Sequence, residues 1–283
     1  MSEQLRIVPG LEPEGVIEEA HDLHGPFVAK VCLFSGGHDS TVVAHRCRDW
    51  YDELAFIDTG TAVPGVREFV DEFAGWLGKP LRVLEAGDAY RLMVLGGGAR
   101  PSDGKPHVGF GFPGPAQHGR AYTRLKERQL EQLKRDLKRG HPRNSRVLFL
   151  TGVRRAESAR RAKRMHVTRI GGTVFCNPLI DWTAVDMRRY RAEHALPESD
   201  VAALIHRSGE CNCGCYAQPG EREMMQSLWP EWFDRVIGSL EREAEARGIP
   251  ACRWGEAPPG EMSDGGPLCA SCDFRQMQIP NAA

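Results

Sequence analysis

One junction limits the folds open to this chain more than any other stretch: VCLFSGGHDSTVVAHRCRDW, residues Val31–Trp50. An unbroken apolar run, Val28–Phe34 with Lys30 near its start, stops in Ser35-Gly36-Gly37. A helix-like pattern then runs from Thr41 to Trp50. An apolar run without alternation suits a parallel strand covered on both faces. The rhythm repeats downstream. ELAFID (Glu53–Asp58) reads as a second strand. Val66, Phe69, Val70, Phe73 and Leu77 follow at helical spacing, Gly78 is a stop, and LRVLEA (Leu81–Ala86) is a third strand. Strands alternating with helices predict an α/β fold with a doubly wound, mainly parallel sheet.

Further along, Gly96–Gly119 is rich in Gly and Pro and has no periodicity, as an active-site lid or inserted loop would. Tyr122, Leu125, Leu133 and Leu137 share a helix face ended by Gly140. RVLFLTG (Arg146–Gly152) reads as a fourth strand and TVFCNPL, around Phe175, as a fifth. DWTAVDMRRYRAEHALP reads as a helix capped near Asp181 or Thr183. Beyond Pro197 the composition turns to Cys, Gly and Pro with one amphipathic helix, Trp229–Arg247. This predicts an α/β domain over residues 1–200 and a smaller cysteine-rich region over 201–283.

Ser35-Gly36-Gly37-His38-Asp39-Ser40-Thr41 has the makings of an anion nest. Glycines let backbone N–H groups converge, hydroxyls add polar contacts, and the following helix offers its positive end. The spacing is neither G-x-x-x-x-G-K-[ST] nor G-x-G-x-x-G, which excludes the two commonest phosphate-loop patterns. Charge distribution agrees with an anionic ligand. Between Arg120 and Arg169 stand 17 Lys and Arg against 4 Asp and Glu, leaving 20 bases and 34 acids elsewhere, although the net charge is only −1. Such a segment attracts phosphate, whether of a nucleotide or of a nucleic acid. The charges of LKRDLKRG equally suit a solvated helix face.

The string SGGHDST resembles the PP-loop of the ATP-pyrophosphatase superfamily. Three further stretches resemble the branch that includes phosphoadenylylsulfate (PAPS) reductase: FIDTG (Phe56–Gly60), TGVRRAESARR (Thr151–Arg161) and NPLIDWTAVDMRRYRAEHALP (Asn177–Pro197). The resemblance spans about residues 27 to 215 and implies an adenine nucleotide α-hydrolase-like fold. It implies that Ser35, Gly36, Gly37, Ser40 and Thr41 cradle the nucleotide phosphates and that Asp39 partners Mg²⁺. Asp58 and Thr59 are expected beside the ribose and base. Gly152 opens the segment that brings Arg154 and Arg155 to stabilise charge on phosphate, with Glu157 orienting an arginine or a metal. His38 stands where many relatives carry Lys. Lys126, with Arg120, Arg124 and Arg128 near it, is the expected compensation.

Nine cysteines in a chain with no run of about 18 apolar residues, and with an acidic rather than apolar opening (MSEQLRIVPGLEPEG), predict a cytoplasmic protein with no membrane span and no leader. Cys32, Cys47 and Cys176 read as small core residues. Cys211, Cys213, Cys269 and Cys272 form C-x-C plus C-x-x-C, a four-thiolate set for zinc or an iron–sulfur cluster. The resemblance favours a 4Fe–4S cluster. Cys215 is a spare, a substitute ligand or a sulfur-carrying nucleophile. The last residues, QMQIPNAA, hold no cysteine of the kind that attacks sulfur in sulfonucleotide reductases. The nearer resemblance is to the ATP-pyrophosphatase subunit of DNA phosphorothioation systems (the DndC/SspD type). That implies ATP with Mg²⁺ cleaved to AMP and pyrophosphate, DNA as sulfur acceptor, and a cysteine desulfurase among other sulfur-transfer partners. A sulfonucleotide reductase or a tRNA-thiolating enzyme is the alternative.

Overall fold

A computed structural model describes residues 12–99, 102–158 and 161–256. The strands are β1 (Phe27–Leu33), β2 (Glu53–Asp58), β3 (Leu81–Glu85), β4 (Gly97–Ala99), β5 (Pro106–His107), β6 (Arg146–Leu150), β7 (Val167–Ile170) and β8 (Thr173–Cys176). Six form one sheet in the order β3-β2-β1-β6-β8-β7. All its pairings are parallel except β7 with β8, so the doubly wound α/β fold is present. From β1 the chain first builds outward through β2 and β3, then returns to place β6 on the other side of β1. Strand order therefore reverses between β1 and β6, and a crevice opens there at the carboxyl ends of the strands.

The helices are α1 (Pro13–His24), α2 (His38–Arg46), α3 (Val66–Leu77), α4 (Ala89–Leu95), α5 (His118–Tyr122), α6 (Arg128–Leu137), α7 (Ala184–Glu193), α8 (Asp200–Ile205), α9 (Glu221–Leu228), α10 (Pro230–Trp232) and α11 (Ser239–Ala246). A π-helical turn, Thr123–Glu127, joins α5 to α6. No helix among the described residues is long and apolar enough to cross a membrane.

Successive strand residues serve opposite faces, which is why β1 and β6 need apolar side chains throughout. Cys32, Leu148 and Leu150 join a core with Val43, Phe56, Val70 and Phe73. Val31, Leu33, Val147 and Phe149 join a second core with Leu130 and Leu133 of α6. Each such buried side chain contributes about 1.5–3 kcal/mol. The first core also takes in Tyr216, Trp232, Phe233, Ile237 and Trp254 from the cysteine-rich segment.

Several elements differ from the sequence reading. The helix after the glycine loop begins at His38 rather than Thr41 and ends at Arg46, with a 3-10 turn over Arg48–Trp50. Gly96–Gly119 contains the short β4–β5 hairpin and the start of α5. Trp229–Arg247 is interrupted by a π-helical stretch, Phe233–Gly238, between α10 and α11. The antiparallel edge strand β7 was not expected, although Gly171-Gly172 between two β-prone runs is a hairpin signal.

Candidate functional site

The crevice at the switch point is a cleft of about 690 Å³. One wall is the β1–α2 turn with Ser35 and Gly37–Ser40; another is Thr151–Ser158 after β6; Lys126 and residues 206–208 and 210 close it. Gly36 sits at φ 75°, a left-handed value that suits glycine and lets the turn reverse sharply after the strand. Gly37 caps α2 without any side-chain cap, so no hydroxyl or carboxylate occupies the first N–H groups of the helix. Those N–H groups and the helix dipole are left available to an anion.

Ser40 Oγ donates to Gly37 O at 2.9 Å and accepts from Ser35 N at 3.3 Å; Thr41 Oγ1 donates to His38 O at 2.8 Å. These hydroxyls hold the loop in shape. Behind the loop runs Gly152. A Cβ there would stand 3.0 Å from Asp39 C and 3.1 Å from both Asp39 O and Ser40 N, so the residue after β6 packs tightly against the backbone of the first turn of α2, which must give for any side chain to fit.

The charged groups are paired. Arg154, 8% exposed, donates from Nη2 and Nε to Asp39 Oδ2 at 2.8 and 3.0 Å. Arg155 pairs with Asp181, whose other oxygen lies 2.8 Å from His166 Nε2. Burial raises the Asp181 pKa, but the bonds from His166 and Arg155 outweigh it and hold the carboxyl below its ordinary value. Glu157 Oε2 accepts from Arg154 N at 3.0 Å and pairs with Arg161. His38 Nε2 is 2.8 Å from Glu198, which also meets Arg191 at 3.1 Å. Burial, then Arg191, lower the His38 pKa more than Glu198 raises it, which favours the neutral ring. Lys126 and Glu210 form a buried pair at 2.5 Å.

Of the residues singled out in sequence, Ser35, Gly37, His38, Asp39, Ser40, Lys126, Gly152, Arg154, Arg155 and Glu157 line the cleft. Gly36 and Thr41 shape the loop from behind, and Arg120, Arg124 and Arg128 do not reach the cleft. Asp58 and Thr59 act as buttresses: Asp58 accepts from Gly60 N at 2.8 Å, and buried Thr59 donates to Glu210 O at 2.7 Å. Sequence reading missed Asp181, His166, Glu198 and the wall His206–Glu210. Glu210 immediately precedes Cys211, so its place beside a cysteine-rich stretch hides its pairing with Lys126.

Cys211 and Cys213 line a small pocket with His118, Tyr122, Leu125 and Lys126, so Lys126 borders both spaces. Cys213 and Cys215 are buried. Cys269 and Cys272 lie outside the described residues. Among the described residues no group of three or more His, Cys, Asp or Glu is placed to hold a metal ion. Asp39 is different in kind: one carboxylate on the cleft wall suits Mg²⁺, which takes one or two protein carboxylates plus phosphate oxygens.

Residues 109–220 match the phosphoadenosine phosphosulfate reductase domain family. No curated protein matches the chain. Among solved structures, a phosphoadenylyl-sulfate reductase from Candida auris in a phosphate complex is 18% identical, with a TM-score of 0.46 over 69% of this chain and 85% of that one. The NH3-dependent NAD synthetase of Campylobacter jejuni is 14% identical, TM-score 0.41, over 89% and 100%. The U34-tRNA thiolase of Methanococcus maripaludis, solved with its [4Fe-4S] cluster, is 12% identical, TM-score 0.41, over 92% and 82%.

Proposed function

We propose that the cleft binds ATP with its phosphates on the Ser35–Ser40 loop and cleaves it to AMP and pyrophosphate, activating an acceptor for sulfur incorporation. The observation that carries this reading is convergence: an uncapped helix N-terminus, Arg154, Arg155 and Lys126 all face one cleft of about 690 Å³. That is the volume class of a nucleotide-sized ligand.

In this reading Asp39 supplies a carboxylate oxygen to Mg²⁺, whose contribution is to neutralise phosphate charge. Arg154 is held at the loop by Asp39, and Arg155 is oriented by Asp181, itself braced by His166. Both guanidinium groups stabilise charge that develops as an acceptor oxygen bonds to the α-phosphorus and the bond to the pyrophosphate oxygen breaks. The acceptor of choice is a DNA backbone phosphate. AMP leaves from it when sulfur, delivered as a persulfide by a cysteine desulfurase partner and then freed by two electrons from a thiol reductant, attacks the activated phosphorus; water attacks where sulfur is absent. Cys211 and Cys213, together with Cys269 and Cys272, are the proposed ligands of a 4Fe–4S cluster; no step above passes through it.

A second reading has its own support. The domain match over residues 109–220 favours a sulfonucleotide reductase acting on PAPS or its unphosphorylated analogue. The two separate in one experiment. Anaerobically prepared protein is incubated with Mg²⁺ and either ATP or PAPS plus a dithiol, with and without DNA. AMP and pyrophosphate in equal amounts, stimulated by DNA, is the expected result. Uncut ATP with sulfite released from PAPS replaces the proposal with the second reading; ADP and phosphate overturns both.

A further inference from the structure

Three arginines on the helical run that carries Lys126 have no carboxylate to neutralise them among the described residues. Arg120 belongs to α5, Arg124 to the π turn and Arg128 to the start of α6. Spaced four residues apart, they share one side of the run and span about 12 Å. On α6 and just beyond it, Lys134 meets Glu131 and Arg139 meets Asp136 at 2.8 Å. Arg120, Arg124 and Arg128 have no ion pair among the described residues. Arg120 and Arg128 are exposed, and half-buried Arg124 has an Nη1 with no hydrogen-bond partner.

The cluster is built rather than loose. The Arg120 and Arg124 guanidinium groups lie 5.9 and 5.5 Å from the centre of the Phe110 ring. Phe110 is fixed in turn, its N–H donating to Met93 O at 3.1 Å. A ring under a guanidinium holds it flat and leaves its N–H edge directed outward. Burial, then Arg128 and Arg120, lower the pKa of Arg124, a crowding of like charge that an anion relieves. The nucleotide cleft does not supply that anion, because its walls include Lys126 and none of the three arginines. A π turn in mid-helix is itself frequent at functional sites.

We infer that the Arg120–Arg124–Arg128 stripe, its first two members held over Phe110, is the contact for the phosphodiester backbone of duplex DNA; this rests on DNA as the acceptor proposed above. One strand of a duplex presents a phosphate about every 3.4 Å of axis, so a stripe about 12 Å long faces three to four of them. Arginine forks meet phosphate oxygens in pairs, and three such contacts give affinity and register without reading sequence.

The test is fluorescence anisotropy of a labelled duplex of about 20 base pairs with the full chain, without ATP, between roughly 50 and 200 mM NaCl. The variants are the triple Arg120→Gln/Arg124→Gln/Arg128→Gln, and Arg120→Gln/Arg128→Gln, which leaves half-buried Arg124 in place. Lys134→Gln/Arg139→Gln is the control. At about 0.9 per phosphate contact, the salt slope becomes shallower by about 2.7 in the triple variant and 1.8 in the double. The wild type then loses about 40-fold more affinity than the triple variant across that range. The control keeps the wild-type slope. Equal slopes in stripe variants and wild type, an equal loss in the control, tighter binding to duplex RNA, or weakened ATP binding with DNA binding intact each overturn the inference. Failure of ATP cleavage with the slope change present refutes the proposed chemistry and leaves the stripe standing.

Discussion

Gly152→Ala tests how tightly the end of β6 is fitted to the phosphate loop. The added methyl carbon would sit 3.0–3.1 Å from Asp39 C, Asp39 O and Ser40 N. Ordinary contact begins near 3.4 Å, so the loop and the strand end must separate by a few tenths of an ångström. All three atoms are backbone, and no side-chain rotation relieves the clash. Overpacking of this kind costs about 1–3 kcal/mol. With a urea slope of about 3 kcal/mol per molar for a chain this size, the unfolding midpoint falls by roughly 0.3–1 M. The same shift moves the helix N-terminus away from the phosphates. Taking about 10²-fold in rate per ångström of misplacement, AMP formation falls roughly tenfold. Urea titration and nucleotide product analysis on one preparation give both numbers. A variant that unfolds and turns over like wild type refutes the fit of β6 to the loop.

Three other perturbations have defined outcomes. Asp39→Asn removes the paired carboxylate from Arg154 and the proposed Mg²⁺ ligand together: AMP formation falls at least about 10²-fold and stability by about 1–3 kcal/mol; turnover near wild type removes Asp39 from the mechanism. His45 has its pKa lowered to about 4 by burial, then Arg48 and His194. The unfolded ring takes up a proton first, so stability is full above about pH 6.5 and declines toward pH 4; His45→Phe flattens that decline in urea midpoints measured across the range. Burial pushes the Cys47 thiol up to about 12 and raises Cys32 and Cys176 well above the ordinary value, so native protein at pH 8 leaves all three unalkylated by iodoacetamide, as peptide mass mapping reports.

Much of this was legible in the chain because the sheet imposes its needs residue by residue. β1 and β6 are covered on both faces, and their unbroken apolar runs say so. The Ser35–Thr41 junction announces a strand end, a tight turn and a helix start in seven residues. Partnerships across the fold were not legible. Nothing local in DWTAVD marks Asp181 as the carboxylate that holds Arg155, since the two meet only when the segment after β8 packs beside the β6 turn. Arg120, Arg124 and Arg128 were expected to help Lys126 at a nucleotide because the stretch follows the Gly-rich segment; Lys126 lines the cleft and the three arginines do not, and sequence proximity alone hides which side each one takes. Glu210 shows the converse: its role beside Lys126 depends on a wall of the cleft that chain order does not reveal.

The most direct measurement is a crystal structure with Mg²⁺ and α,β-methylene-ATP, an analogue that resists cleavage at the bond in question. The account predicts phosphate oxygens on the Gly37 and His38 N–H groups, with Arg154, Arg155 and Lys126 around them and Mg²⁺ at Asp39. Phosphates bound away from the Ser35–Ser40 loop, or an empty cleft at saturating nucleotide, would contradict it.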